Sequence, residues 1–413
     1  MIRYLLLSCL CVLIPLAGWT QITVSGPMQG HTTDSTTNIW LMVKQKQAPL
    51  QFSMKDALDA AIDAEELCHK RWCTYNLHIV GLQPKDNQLS IANAVNEQRY
   101  KFDAVNKDTS NAFSFLLGSC TLRWGPLQVI APGNGYRIFK PMSEHEVDLM
   151  LWLGDNVYYL LGDTKNEANM FRENAKSRRK KTMATFIQDK LHYAIWDDHD
   201  FGPNNSIGTY ENKYIAKKVF NNFWGNPNSP SDGIYYSFEY GNVEFFMLDG
   251  RWFRTAQEQS DNALLGPEQL EWLIDGLKQS TAQHKFVVLG SQIINPKGTH
   301  HERFAAFKEE YDALLTAAAG LDNVIFISGD MHYSTLFKND DFGKTLYEFS
   351  CSPLTAYRYK VRKKNDEYGN PYFVEGTQYH KQNFGKITIV DDSVLFEVFN
   401  KKGKLVYDYQ LPQ

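Results

Sequence analysis

The chain carries five short apolar runs, each halted by a residue that can bind a metal or move a proton. Phe113 to Gly118 leads to Cys120, Leu149 to Gly154 to Asp155, and Tyr193 to Trp196 to Asp197-Asp198-His199-Asp200. Val243 to Leu248 stops at Asp249, and Val324 to Gly329 at Asp330-Met331-His332. Carboxylates are hard ligands, a thiolate is a soft one, and imidazole either ligates or carries protons near neutrality. In layered α/β folds ligands sit outside the carboxyl ends of the strands, where the chain turns and short side chains converge. Five such ends point to one shared site.

Each motif alone also has a plain structural reading. Asp155 and Tyr158 are three apart and so can face one side of a turn. A helix-capping Asp followed by a packed Tyr would look the same. The three carboxylates around His199 repel one another unless cations or hydrogen bonds compensate, and the loop from Phe201 through Gly202-Pro203-Asn204 to Asn205 continues that cluster. Asp330 and His332 lie two apart on an extended backbone, hence on one side of it. Cys120 is either a thiolate ligand or a buried, inert thiol. Arg251 and Arg254 follow Asp249, and guanidinium groups bind phosphate oxygens bidentately. These two, with Asn205, are the candidate substrate contacts. The basic stretches Ser177 to Lys181 and Arg358 to Lys364 could steer anions, although a solvated surface explains them as well. The chain has no phosphate-cradling P-loop, no dinucleotide fingerprint and no nucleophile elbow, since Gly290-Ser291-Gln292 matches one only superficially.

The elements that would position these residues follow from periodicity. From Ser110 onward strands alternate with helical patterns at Tyr210 to Trp224, Gly266 to Gln279 and Glu302 to Ala319, which predicts a layered α/β sheet with helices on its faces. Phe384 to Leu411 returns to β alternation around Lys402-Gly403. Ahead of this, Ile22 to Asn106 reads as an all-β sandwich with strands at Ile22 to Ser25, Asn38 to Val43, Asn76 to Val80 and Tyr100 to Ala104. Met54 to Arg71 has helical spacing and sits oddly within it.

The first 21 residues have the form of an export signal: Arg3, an apolar stretch from Tyr4 to Leu16, then Ala17-Gly18. No later segment is long and apolar enough to span a membrane. An oxidising compartment would permit disulfides, and Cys68 and Cys73 are close enough to bridge across a short loop, although pairing cannot be read from sequence. A net charge of only −4 argues against a dedicated nucleic-acid binder.

Gly118-Ser119-Cys120, Gly154-Asp155-x-x-Tyr158, Trp196-Asp197-Asp198-His199-Asp200, Asp249-x-Arg251-x-x-Arg254 and Gly329-Asp330-x-His332 together resemble the PhoD-like alkaline phosphatase family, a branch of the calcineurin-like metallophosphoesterases. The resemblance covers nearly all of the mature chain, including Gly26-Pro27-Met28 and Trp40. It implies a metallophosphoesterase double-sheet sandwich flanked by helices over 109–413, behind an immunoglobulin- or fibronectin-like β-sandwich over 22–108 and a cleaved signal over 1–21. It also implies an exported enzyme, periplasmic, cell-surface or secreted, that hydrolyses phosphate monoesters, diesters or both. By the same resemblance the site would hold Fe(III) with one or two calcium ions, other divalent metals remaining open. Cys120, Asp155 and Tyr158 would hold iron, Asp155 bridging to calcium held by Asp198 and Asp330, with His332 on the metal or directly behind it. His199 would be the acid or substrate-orienting group, and Arg251 the catalytic clamp on phosphate. Two alternatives stay open: a phospholipase-like phosphodiesterase acting on membrane or envelope phosphodiesters, and a non-catalytic cell-surface module holding calcium. A structural calcium loop needs neither thiolate nor guanidinium, which argues against the second.

Overall fold

The computed structural model describes residues 21–55, 57, 59–105, 112–123, 135–160, 162–297, 303–359 and 369–412. The signal-like segment and Lys360 to Lys364 of the second basic stretch lie outside the described residues.

Seven strands open the fold: β1 (Thr23–Thr32), β2 (Thr36–Lys44), β3 (Gln51–Met54), β4 (Ala61–His69), β5 (Trp72–Val80), β6 (Asn87–Ala92) and β7 (Glu97–Phe102). β3-β6-β7 form a small sheet, and β1-β2-β5-β4 form one end of a larger one. Between them Ile39, Leu41, Val43, Leu77, Ile79, Leu89 and Ile91 are buried in a cluster of their own. β1 also pairs in parallel with a strand of the following fold, so the larger sheet runs on into that fold.

The remaining strands are β8 (Ala112–Gly118), β9 (Leu149–Leu153), β10 (Leu191–Ile195), β11 (Tyr236–Tyr240), β12 (Val243–Met247), β13 (His284–Val288), β14 (Val324–Ser328), β15 (Thr335–Asn339), β16 (Leu346–Ser350), β17 (Asn383–Val390), β18 (Ser393–Asn400) and β19 (Leu405–Gln410). They extend the large sheet in the order β19-β18-β17-β8-β9-β10-β1-β2-β5-β4 and build a second sheet, β11-β12-β13-β14-β16-β15. β8, β9 and β10 run parallel, as do β12, β13, β14 and β16. Every residue of β9, β10, β13 and β14 is buried, the pattern of parallel strands covered on both faces, and this is why they read as unbroken apolar runs. Phe115 meets Phe245 and Phe286 at centroid distances of 5.3 and 5.5 Å, so the two sheets pack face to face.

Helices cover the outsides: α1 (Phe139–Ser143), α2 (Glu167–Arg178), α3 (Lys181–Phe186), α4 (Asp198–Phe201), α5 (Lys213–Phe223), α6 (Gly266–Gln279) and α7 (Lys308–Ala319). Leu273 and Leu277 of α6 and Leu314 and Leu315 of α7 are buried with Phe246, Val287 and Phe326 of the second sheet. The three helices expected from periodicity are α5, α6 and α7; the last begins late, after a 3₁₀ turn at Phe304–Ala306.

Two expectations are corrected. Among its described residues, Met54 to Arg71 is not helical but contains the end of β3, all of β4 and the turn into β5. Pairing along β5 from Ala61↔Val80 to His69↔Trp72 overrides helix-forming Ala, Glu and Leu, since β4 is a sheet edge whose Asp63, Ala64, Glu65 and Glu66 face solvent. Cys68 lies directly opposite Cys73 in that ladder and the two form a disulfide. The basic run at Ser177 to Lys181 is not wholly solvated surface. Arg178 is buried, with its guanidinium 3.9 Å from the Trp224 ring centroid and donating to the Phe223 carbonyl at 3.0 Å.

Candidate metal centre

The carboxyl ends of β8, β9, β10 and β14 bring the expected ligands together. One ligand atom each from Cys120, Asp155 and His332 lie within 4.8 Å of one another, and so do those of Asp155, Asp198 and His199. Asp155 belongs to both groups, the position of a bridging carboxylate. The Tyr158 hydroxyl donates to Asp155 Oδ2 at 2.7 Å and lies 3.4 Å from His332 Nε2, while its ring packs on His199 with centroids 4.1 Å apart. Asp330 joins through its backbone, its carbonyl 3.5 Å from Cys120 Sγ and its amide donating to Ser119 Oγ at 3.2 Å.

The backbone is bent to make these turns. Cys120, Asp155, Asn205, Asp330 and His332 all have φ between 53° and 61°, a left-handed conformation that costs non-glycine residues. Such outliers gather where function over-determines the conformation. Gly154 adds φ +88°, and a Cβ there would lie 2.6 Å from Asp197 Cβ, so only glycine brings β9 so close to the next strand end.

The acidic run after β10 divides its labour. Asp197 and Asp200 close a capping box on α4. Asp200 also accepts from the Asn156 and Val157 amides at 3.0 and 3.2 Å, fixing the turn that carries Asp155 and Tyr158. Asp197 is ion-paired to Arg251 at 2.5 Å, with side chains 2% and 0% exposed. Only Asp198 is left to the metal groups, held by the Asn205 amide at 2.7 Å.

Electrostatics separate the two central carboxylates. Burial first, then Asp198, Asp197, Asp330 and Asp200, pushes Asp155 well above the usual carboxylate range. For Asp198 burial acts in the same direction, but Arg251 and His199 outweigh it and hold the carboxyl below its ordinary value. Burial, with Asp155 and Asp330 beside it, also raises the Cys120 thiol. This density of buried acids around one thiol, one phenol and two imidazoles is the environment that cations would stabilise, so the donor set fits metal ions.

Arg251, Arg254, Asp249 and Asn205 make the following contacts. Arg251, fully buried, also directs Nε to Asp197 at 2.6 Å, so two of its nitrogens bind a carboxylate beneath the site. Arg254 is buried with its guanidinium 5.4 Å from the Phe307 ring. Asp249 receives hydrogen bonds from the Trp196 indole and the Arg251, Trp252 and Ile234 amides, so this strand end is a structural cap. Asn205 reaches the site through its amide. Sequence reasoning missed a sixth strand end, β16: the amides of Leu354, Thr355 and Ala356 dock on the Ser119 and Cys120 carbonyls. This seats exposed Tyr357 with its ring centroid 4.6 Å from that of His332. Nothing at that end except buried Cys351 resembled a ligand, so no sequence signal marked it.

Residues 115–397 match the family of PhoD-like phosphatases. The chain belongs to that family. PhoD-like phosphatases belong to the metallophosphoesterase superfamily. Alkaline phosphatase D of Bacillus subtilis (strain 168) is 24% identical over 51% of this chain and 46% of its own, so the match spans under half of that relative. The structure of PhoD superposes with a TM-score of 0.72 at 16% identity, covering 95% of this chain and 89% of that one. Purple acid phosphatase PPD1 from yellow lupin (Lupinus luteus) seeds follows at 0.65 and 10%, covering 93% and 73%. At these identities the likeness is one of fold, and it agrees with the expected double-sheet architecture.

Proposed function

We propose that the protein is an exported, metal-dependent phosphatase that hydrolyses phosphate monoesters, diesters or both. The observation that carries this reading is the pair of ligand groups sharing Asp155. Cys120, Asp155, Tyr158 and His332 would hold Fe(III), and Asp155 and Asp198, with Asp330 beside them, would hold calcium. When bound, such cations lower the pKa of a water and offset phosphate charge.

The protein's own groups supply the rest. Asp198, kept ionised by Arg251 and His199, presents a carboxylate at the pH of the reaction. His199 is only half-buried at the edge of the cluster and would give a proton to the departing alcohol oxygen, a step worth about 10²- to 10⁴-fold. Tyr158 stacks on that imidazole and orients it. Arg251 holds Asp197 and lends its positive charge from behind the site. The test is Asp198→Asn, which keeps shape and removes charge. Turnover of chromogenic monoester and diester substrates is expected to fall to near background with an unchanged circular dichroism spectrum, and retained turnover would overturn the assignment.

A further inference from the structure

The four residues enclosed by the Cys68–Cys73 disulfide, His69-Lys70-Arg71-Trp72, form one wall of a pocket whose other wall is α2 and the residue just beyond it. The pocket holds about 270 Å³, the share of roughly nine waters at about 30 Å³ each, enough for one aromatic ring with an acid group. Its floor is apolar: Trp72 and Phe171 both line it, and His69 packs on Phe171 with ring centroids 4.9 Å apart.

The rim is cationic, and its charges are unequally committed. His69 is paired with Glu167 at 2.9 Å, Arg172 with Asp163 at 2.8 Å and Glu173 at 3.1 Å, and Lys176 with Glu173. Lys70, Arg71 and Arg179 have no carboxylate within 4.0 Å among the described residues. The Arg179 guanidinium lies 4.8 Å from the Trp72 ring centroid, a cation–π contact that fixes it over the floor. Burial, Arg123 and Arg71 all depress its basicity, so the two guanidiniums feel each other's charge across the pocket. A rigid hairpin tip, an aromatic floor and two uncompensated guanidiniums make a complementary surface for an anion with a flat apolar body. None of these residues belongs to the metal groups.

We propose that this pocket binds a small aromatic acid, its ring against Trp72 and Phe171 and its anionic group between Arg71 and Arg179. The probe is benzenesulfonate, which is not a phosphate ester and so is not a substrate of the metal centre. Calorimetric titration into the full protein is expected to give saturable one-to-one binding, with inorganic sulfate about tenfold weaker or more because it cannot use the apolar floor. Arg71→Gln with Arg179→Gln, both exposed and so neutral for folding, is expected to weaken binding about tenfold or more while leaving ester turnover unchanged. Asp198→Asn is expected to retain probe binding. Absence of binding, equal binding of sulfate, or full binding by the double variant would each overturn the proposal, and loss of binding in Asp198→Asn would place the probe at the metal centre instead.

Discussion

Replacing Arg251 with Met separates two roles that a guanidinium beside a phosphatase site can have. Its Nε donates to Asp197 Oδ1 at 2.6 Å and a second nitrogen reaches the same oxygen at 2.5 Å, with the pair 0% and 2% exposed. Methionine fills similar space but leaves the Asp197 carboxylate without the guanidinium that pairs with it. Removing one partner of a buried ion pair costs about 3–5 kcal/mol, because the remaining charge is stranded in a poor dielectric. That is a large share of the roughly 5–15 kcal/mol by which domains are stable. Asp198 also loses the strongest influence holding its carboxyl low, so the variant should bind metal less well. Urea unfolding followed by tryptophan fluorescence measures the stability loss, and turnover of the folded variant measures function. A folded variant within about 1 kcal/mol of the parent that nevertheless lost kcat would refute the supporting role, since a solvated surface pair is worth no more than this. Arg251 would then act on substrate.

Glu348 gives a pH test. Burial pushes its carboxyl from 4.5 up to about 7, although Ser328 Oγ and the Ile294 and Ile293 amides donate to it. The native state therefore binds this proton more tightly than the unfolded chain does. The resulting stability is fully present below 4.5 and is lost as pH rises through about 7. Glu348→Gln should gain on the parent by up to roughly 3 kcal/mol across that window, and a pH-independent difference in urea midpoints would contradict this. Removing the Cys68–Cys73 bridge by a double Ala substitution should cost about 2 kcal/mol, the closure entropy of so short a loop. An unchanged melting temperature would show that the β4–β5 ladder alone fixes the hairpin.

What sequence revealed and what it hid have physical causes. Buried parallel strands are apolar on both faces, so β8, β9, β10, β12 and β14 stood out, and their ends located the site. The roles of the acids at those ends did not stand out. Asp197, Asp198 and Asp200 are adjacent and chemically identical, and only tertiary partners assign one to Arg251, one to the cluster and one to backbone amides. Asp249 looked like a ligand because a residue capping four buried donors has the same sequence context. β4 was misread because an exposed edge strand lacks the alternation that marks a half-buried one. Arg178 was assigned to the surface by its basic neighbours, yet a cage of Trp40 and Trp224 holds it inside.

The central claim is that groups meeting at Asp155 hold the metals on which phosphate ester hydrolysis depends. The direct measurement is turnover of a chromogenic phosphate ester by protein purified without chelator, before and after exhaustive chelation, with elemental analysis of the same samples. Turnover is expected to fall to background as the metals leave and to return when they are restored, with Asp155→Asn losing both metal and activity. Undiminished turnover by protein shown to be free of metal would contradict the account.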